Sequence, residues 1–453
     1  MSEITSFVCP ASWKITTLGQ ICKETGGSIQ TGPFGSQLHA SDYVEDGIPS
    51  VMPKNISIEK ILDDDIARVS VDDVNRLSKH KLQMGDIVYS RRGDVEKCVL
   101  VSEKEDGWLC GTGCIKVRIG PVGDISAKYI HAFLSHPEVR RWISQHAVGA
   151  TMPNLNTSIL SSVPVYLPPK ELQSFIANSW FGFNQKLLVN AGINNTLENI
   201  AQAIFKSWFV DFEPTKAKIA AREALLAENP AATPEKIATA EQQAAIQAIA
   251  GAGDIIPTEQ LQTIADLFPG QLVPSELGEI PEGWRVDKVE NVITRLKPKQ
   301  RYTKKQVEPH GNVPVFEQGA GVLLGYQNGT AGFKASPERP MFIFGDHTCV
   351  THLSCEPFDI SANVIPIEGC DFPTLWVYQA VKDLQKFQEY RRHWSEFIIK
   401  QLVTPAAELA EVYSKLATDF VKMKESNVSE SSVLIQVRDS LLPKLLSGEL
   451  EFN

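Results

Sequence analysis

The sequence has no run of eighteen or more apolar residues, which excludes a membrane-spanning helix. Its opening, MSEITSFVCPASW, lacks a basic stretch followed by an apolar one, so no secretion signal is expected. Its eight cysteines are scattered over 453 residues. That usage fits reduced thiols in a cytoplasmic protein, not a disulfide framework. An excess of positive charge is also missing. Against 44 Lys and Arg stand 54 Asp and Glu, a net charge of −10. Indiscriminate binding to nucleic acid or anionic membrane is thereby disfavoured, while local basic patches remain allowed.

Signatures of chemistry are absent too. There is no G-x-x-x-x-G-K-[ST] phosphate loop and no G-x-G-x-x-G between a strand and a helix. No Asn- or Asp-Pro-Pro-aromatic tetrapeptide of an amino-methyltransferase, no G-x-S-x-G elbow and no H-E-x-x-H helix occurs. HTCVTHLSC carries His347, Cys349, His352 and Cys355, but their spacing misses the paired patterns of zinc sites. If this stretch is a strand, alternation puts His352 on the face opposite His347 and Cys349. No metal is expected.

What is present is the balance of a globular chain, 43% hydrophobic and 22% charged. Its length suggests about three folding units. Short β-branched segments at 48–56, 85–93, 97–103 and 113–119, a helical pattern at 126–147 and an extended closing segment at 161–169 make residues 1–168 a mixed α/β domain. Leu172, Phe175, Ile176, Phe183, Leu187, Ile193, Leu197, Ile200, Ile204 and Trp208 mostly recur at intervals of three, four or seven. Residues 169–212 therefore read as a long amphipathic helix with a coiled-coil-like seam. A break is expected near Gly182 or Gly192. Residues 213–283 read as an Ala-rich helical connector ending in a Pro- and Gly-rich linker. A second mixed unit follows at 284–403, with strands at 312–318, 322–329, 340–346 and 361–367 and a helix at 372–394. Residues 404–453 form a second seam helix.

The order of elements in the two halves is the same, and the seams align. Leu197, Ile200, Ile204, Phe205, Trp208 and Phe209 match Leu434, Val437, Leu441, Leu442, Leu445 and Leu446 at a constant offset, 434 − 197 = 237. The fold class expected is therefore α+β/α/β: two similar mixed domains, an internal repeat, joined by two long antiparallel helices. A helix of about 40 residues spans roughly 60 Å. Such a rod would hold two similar binding surfaces at a fixed separation.

Local basic clusters interrupt the acidic background. RLKPKQRYTKK (295–305) includes Lys297, Lys299, Arg301, Lys304 and Lys305 with no acid among them. The first domain carries Lys79, Lys81, Arg91, Arg92 and Lys97. These fit phosphate contacts. Gln30, Gln37, Lys54, Asn55 and Arg92 have the side-chain chemistry that reads base edges. The loop IQTGPFGSQL holds Gln30, Thr31, Gly32, Gly35, Ser36 and Gln37. It looks like a phosphate cradle but lacks the Lys and Ser/Thr of a nucleotide site. Its glycines either bring the backbone to DNA or shape a turn.

IQTGPFGSQLHASDYVEDGIPSVMPKNI, GDIVYSRRGDV and GATMPNLNTSILSSVPVYLPP (which contains Asn154 and Asn156), with NTLENIAQAIFKSWFVDFEP, SELGEIPEGW and RDSLLPKLLSGEL, resemble the specificity (S) subunit of type I restriction-modification enzymes. The resemblance runs through nearly the whole chain in the family's order. It implies two target recognition domains, each reading one half of a bipartite double-stranded DNA sequence, with the helical pair as spacer. It implies a non-catalytic chain that binds no cofactor. Methyltransferase (M) subunits would bind S-adenosylmethionine and methylate adenine N6, and restriction/translocase (R) subunits would use ATP and Mg. The seam residues Phe205, Trp208, Phe209, Leu442 and Leu445 are then expected either to dock M subunits or to bury against the other helix. The rival readings are an enzyme with its own activity and a coiled-coil scaffold that binds no DNA.

Overall fold

The computed structural model describes residues 10, 12–34, 36–57, 60–149, 153–250, 256–447 and 449. The chain divides into two compact units, Met1–Ala191 with Val428–Asn453, and Gly192–Asn427.

In the first unit, strand Lys14–Thr17 pairs antiparallel with Pro164–Leu167 and so ties the two ends of the mixed domain together. Helix Leu18–Thr25 follows at once: the Thr17 hydroxyl caps the Gln20 amide, and Gly26 at φ 75 ends it. A four-stranded antiparallel sheet runs Ser28–Thr31, Cys114–Arg118, Ile87–Ser90, Cys98–Leu100. A second sheet runs Tyr43–Val44, Arg68–Val69, Ile48–Val51, Leu109–Cys110, its last pair parallel. The pattern expected as one helix at 126–147 is two, Ala127–Leu134 and Pro137–His146, because Pro137 cannot continue the first and starts the second.

The second unit repeats this plan. Arg285–Lys288 pairs antiparallel with Gln401–Thr404. The larger sheet runs Ile293–Arg295, Val364–Gly369, Met341–Gly345, Thr351–Ser354. Beside it lies Leu323–Gln327, Val313–Phe316, Asp359–Ile360, again with the last pair parallel. Strand order in the larger sheet matches the first unit strand for strand, and the smaller sheet matches it except that Tyr43–Val44 has no counterpart among the described residues. The offset of 237 between the seams also relates the closing strands, 401 − 164, and the starts of the long helices, 407 − 170.

Those helices are Lys170–Phe209 and Ala407–Ser447. The first is continuous through Gly182 and Gly192, where a break was expected. A side chain at either glycine would meet open space, so the glycines are surface positions where a propensity cost of about 1 kcal/mol each is outweighed by the seam. The pairing is antiparallel and partly polar. Within the first unit Arg438 Nη1 donates to Asn184 Oδ1 at 2.8 Å, and Asn190 Nδ2 donates to Ser431 Oγ at 3.1 Å. Within the second unit Asn427 Nδ2 donates to Asn194 Oδ1 at 2.8 Å, and Lys424 Nζ meets Glu198 Oε2 at 2.7 Å. In each unit, as one number falls the other rises, which fixes the register there. Partly buried polar pairs of this kind specify register in helical seams.

Each helix start is covered by the other helix's end. Ile176 and Trp180 share a core with Leu442, Leu445 and Leu446. Tyr413 packs 5.5 Å from Phe205 and 5.6 Å from Phe209. The five residues considered for M-subunit docking are thus interior: Trp208 is 1% exposed, and Phe205, Phe209, Leu442 and Leu445 are buried. At each end the seam packs against both the partner helix and a mixed domain, whereas Phe175, Ile193, Val433 and Val437 on the same helices stay exposed.

Residues 213–283 are more than a connector. Helix Pro234–Ala250 contributes Ala245 and Ile249, helix Thr258–Asp266 contributes Ile264, and the turn after it contributes Phe268 to the core that holds Trp208, while helix Glu213–Glu228 packs alongside. Lys218 Nζ donates to the Phe268 carbonyl at 2.6 Å, and Arg222 binds Glu241 and the Gly270 carbonyl. Among the described residues no helix is long and apolar enough to cross a membrane.

Two buried imidazoles of the first unit, His131 and His136, are each pushed down to about 4 by burial, and the unit is expected to be acid-sensitive. The His131 ring lies tilted against Phe181, 5.6 Å between centroids. Unfolded, it takes up a proton near pH 6.5; folded, it stays neutral until about pH 4. Acidification through that window therefore favours the unfolded chain. His131→Leu is expected to flatten the fall of the unfolding free energy, read from urea melts between those pH values, by up to about 1.4 kcal/mol per pH unit. An unchanged slope would show that this imidazole is already solvated.

Candidate nucleic-acid interface

The loop 32–38 of the first unit meets three other segments at one end of its larger sheet. The Gly32 amide donates to the Cys114 carbonyl at 2.9 Å, and Thr112 Oγ1 donates to the Pro33 carbonyl at 3.2 Å. The Arg91 amide donates to the Gly113 carbonyl, and the Leu155 amide to the Arg91 carbonyl, both at 2.8 Å. Arg92 and Asn154 form a bridge. A Cβ at residue 32 would lie 2.0 Å from the Gly111 carbonyl oxygen. Gly32 is therefore glycine so that two turns can touch, which answers the question the sequence left open for that position. Gly35 lies outside the described residues.

What this scaffold displays is Phe34. Its ring is 51% exposed, with the Arg91 guanidinium 5.2 Å from its centroid. Ser36, two residues on from Phe34, and Arg92, next to Arg91, are exposed, and Gln37 Oε1 accepts from the Phe34 amide at 3.2 Å. Gln30 and Thr31 end the adjoining strand, half-buried. Lys79 is exposed and Lys81 half-buried; their carbonyls both accept from the buried Lys116 Nζ at 2.9 Å, which pins this turn while leaving its side chains outward. Burial, with the Lys79 charge beside it, pushes the His80 imidazole below its usual range, so it is neutral at pH 7.

Some candidates serve the fold instead. Asn55 is 2% exposed, its Oδ1 accepting from the Met52 amide and its Nδ2 donating to the Leu62 carbonyl, both at 3.0 Å. It has no edge left for a base. Asn156 caps helix Thr157–Ser162. Lys54 Nζ reaches the Asp65 carbonyl at 3.2 Å, and Lys97 pairs with Asp94 at 3.2 Å. In the second unit, Arg301 spends Nη1 on the Ser361 and Val364 carbonyls. Lys297, Lys299, Lys304 and Lys305 are exposed.

The equivalent corner of the second unit can be located by its hydrogen bonds. The Asp346 amide donates to the Asn363 carbonyl at 2.9 Å, and the His393 amide to the Asp346 carbonyl at 2.7 Å. Asp346 thus occupies the place of Arg91, and His393 that of Leu155. His347 turns edge-on to Tyr390 at 4.8 Å, and His352 to Phe316 at 4.7 Å. Residues 346–350 are a turn, with Cys349 at φ 58, not the strand considered from the sequence. Among the described residues no three His, Cys, Asp or Glu side chains gather as a metal site. Phe34 and Tyr390 were not foreseeable as display residues, because an isolated aromatic carries no sequence signal of exposure. Their neighbours, SRRG and the basic run, were the available pointers.

Comparison with known proteins agrees with this architecture. Residues 10–199 match the family described as type I restriction modification DNA specificity domain. The HindI specificity subunit of Haemophilus influenzae is 24% identical over 425 residues, covering 84% of this chain and 90% of that one. The MjaIX specificity subunit of Methanocaldococcus jannaschii is 30% identical over 99 residues, 22% of this chain and 23% of that one. In fold, a type I restriction-modification S subunit from M. genitalium superposes with a TM-score of 0.52 at 13% identity, covering 96% of each chain. Residues 10–199 therefore contain a type I restriction modification DNA specificity domain, in a chain homologous to a type I restriction enzyme specificity subunit over 84% of its length.

Proposed function

We propose that this chain is the DNA-recognition subunit of a type I restriction-modification complex. The observation that carries it is the duplication: one mixed domain built twice, each with a solvent-facing sheet corner, alongside a registered antiparallel helix pair. Each domain reads one half of a bipartite double-stranded target, and the helices set the spacing. The chain itself is non-catalytic and acts in the cytoplasm. M subunits supply S-adenosylmethionine and methylate adenine, while R subunits supply ATP- and Mg-dependent translocation and cleavage. M-subunit docking falls to the helix faces that remain exposed, which include Val189, Val433 and Val437 in the first unit.

The test is long-read detection of N6-methyladenine in DNA from cells with and without this chain. A bipartite motif present only with the chain is the expected result; identical methylomes would refute the assignment. At finer grain, Phe34→Ala and Arg91→Ala are expected to weaken binding of the reconstituted S–M complex to its target by about tenfold, a loss of about 1.4 kcal/mol. The loss should fall on the half-site read by the first domain, as measured by anisotropy on oligonucleotides varied one half at a time.

A further inference from the structure

Aromatic side chains are almost all interior in this protein. Four are exposed among the described residues: Phe34, Phe175, Phe387 and Tyr390. Three of those four lie at equivalent corners of the two mixed domains. Chance placement on the surface would not select that corner twice, in loops of unrelated sequence.

The second corner is built by residues 382–393. Their sequence, KDLQKFQEYRRH, consists largely of good helix formers, yet the preceding helix stops at Val381. Asp346 is the cause. Its carbonyl accepts from the His393 amide at 2.7 Å and its Oδ1 from the Trp394 amide at 3.0 Å. The His393 ring is fully buried, with Nδ1 3.2 Å from Glu396 Oε2 and Nε2 2.9 Å from the Glu389 carbonyl. The chain is thus drawn off the helix and held at both the sheet end and its own base. The loop so made exposes 54% of Phe387 and 72% of Tyr390. Lys386, Arg391 and Arg392 share it; Arg391 is paired with Glu389 and Glu396, whereas the Arg392 side chain is 78% exposed and only 3.7 Å from Asp346 at its nearest. At the edge of the same corner Arg295 stacks over Trp394 at 5.5 Å.

Resting on the DNA-recognition reading, we propose that loop 382–393 enters a groove of the half-site read by the second domain, with Phe387 and Tyr390 against the bases and Arg392 on a phosphate. The physical case is the combination. Two rings held outward by a buried anchor cost solvation unless something apolar covers them, and the cations around them match a polyanion. Base edges, thymine methyls and base steps present apolar surface inside a groove walled by phosphates. Asp346 and His347 stand where the first domain has Arg91 and Arg92, so the second domain lacks the arginine pair on its strand end. The loop supplies that cation instead, from the opposite side of the same corner.

The test uses the full chain assembled with its M subunits. The double variant Phe387→Ala/Tyr390→Ala is expected to bind the native target at least tenfold more weakly and to relax base preference in the second half-site alone. Gln388→Lys adds a charge in the same loop without removing an apolar contact. It should steepen the slope of log affinity against log salt by about one. Wild-type complex that shows no sequence-dependent binding would overturn the DNA reading itself. Specific wild-type binding with both variants unchanged would overturn the loop assignment and leave that reading intact. Loss of M-subunit assembly with unchanged half-site preference would show that the corner contacts protein and would likewise overturn it.

Discussion

Replacing residues 1–168 with the corresponding domain of another S subunit is expected to change one half of the methylated sequence completely and leave the other half and the spacing as they were. The structure supplies the reason a clean exchange is possible. Strand Lys14–Thr17 and strand Pro164–Leu167 pair with each other, so both ends of the exchanged segment close within it. The larger sheet, the smaller sheet and the corner that displays Phe34 and Arg91 all travel together. What stays behind is Ile176 and Trp180 on the first long helix and Leu442, Leu445 and Leu446 on the second, which share a core with Val139, Trp142 and Val165 of the domain. A graft whose apolar residues match those three positions should fold with little penalty. One that places a polar residue there would bury it without a partner, at a cost of about 1–3 kcal/mol. Melting temperature separates that failure from a failure of recognition. Methylome sequencing of cells carrying a stable graft then decides the matter: if both half-sites change, or neither does, the two-domain reading is wrong.

The sequence made the repeat legible because seam positions are constrained twice over, by helical period and by a partner of the same chain. That is why an offset found in six residues also predicts where the closing strands and the helix starts correspond. It also made the inner strands of the larger sheets legible, Ile87–Ser90, Cys114–Arg118, Met341–Gly345 and Val364–Gly369, since these are buried and bounded by turn residues, but not the half-exposed Ser28–Thr31, Ile293–Arg295 and Thr351–Ser354. The failures have a common cause in tertiary contacts that local pattern does not carry. Residues 382–392 are largely good helix formers, but one buried histidine and two bonds to Asp346 overrule them. Gly182 and Gly192 weaken a helix locally, but the seam on either side carries it through. Asn55 has base-reading chemistry, yet its own turn consumes both ends of the amide. Trp208 and Phe209 fit an interface anchor equally well as a core; only helix Thr258–Asp266 and the turn after it that carries Phe268, folded back upon them, decide for the core. At the interface, residue type narrowed the field to basic and amide side chains, while which of them face solvent depended on the turns that hold them.

Lengthening the helical pair should lengthen the target, but only when both helices are lengthened together. Asn194 bonds to Asn427 and Glu198 to Lys424, four residues apart on one helix and three on the other. Seven residues inserted after Leu197 alone would separate Asn194 from Glu198 by an extra two turns of helix, about 10 Å at 1.5 Å per residue. Asn427 and Lys424 would stay where they are, so one of the two pairs must break and the buried seam beyond it must slip by a heptad. The single insertion is therefore expected to destabilise the protein and abolish methylation. A matched heptad placed between Lys424 and Asn427 restores every pair, since seven residues return each side chain to nearly the same helical face, within about 20°. With both insertions, the same two half-sites should be methylated at a spacing about three base pairs longer, 10 Å divided by 3.4 Å per base pair. Three base pairs also turn the second half-site by roughly a third of a helical turn. The duplex must twist to present it, so the rate should fall even where the spacing is right. Unchanged spacing in a folded double insertion would remove the helices from their role as ruler, and altered half-site bases would mean that they take part in reading the sequence.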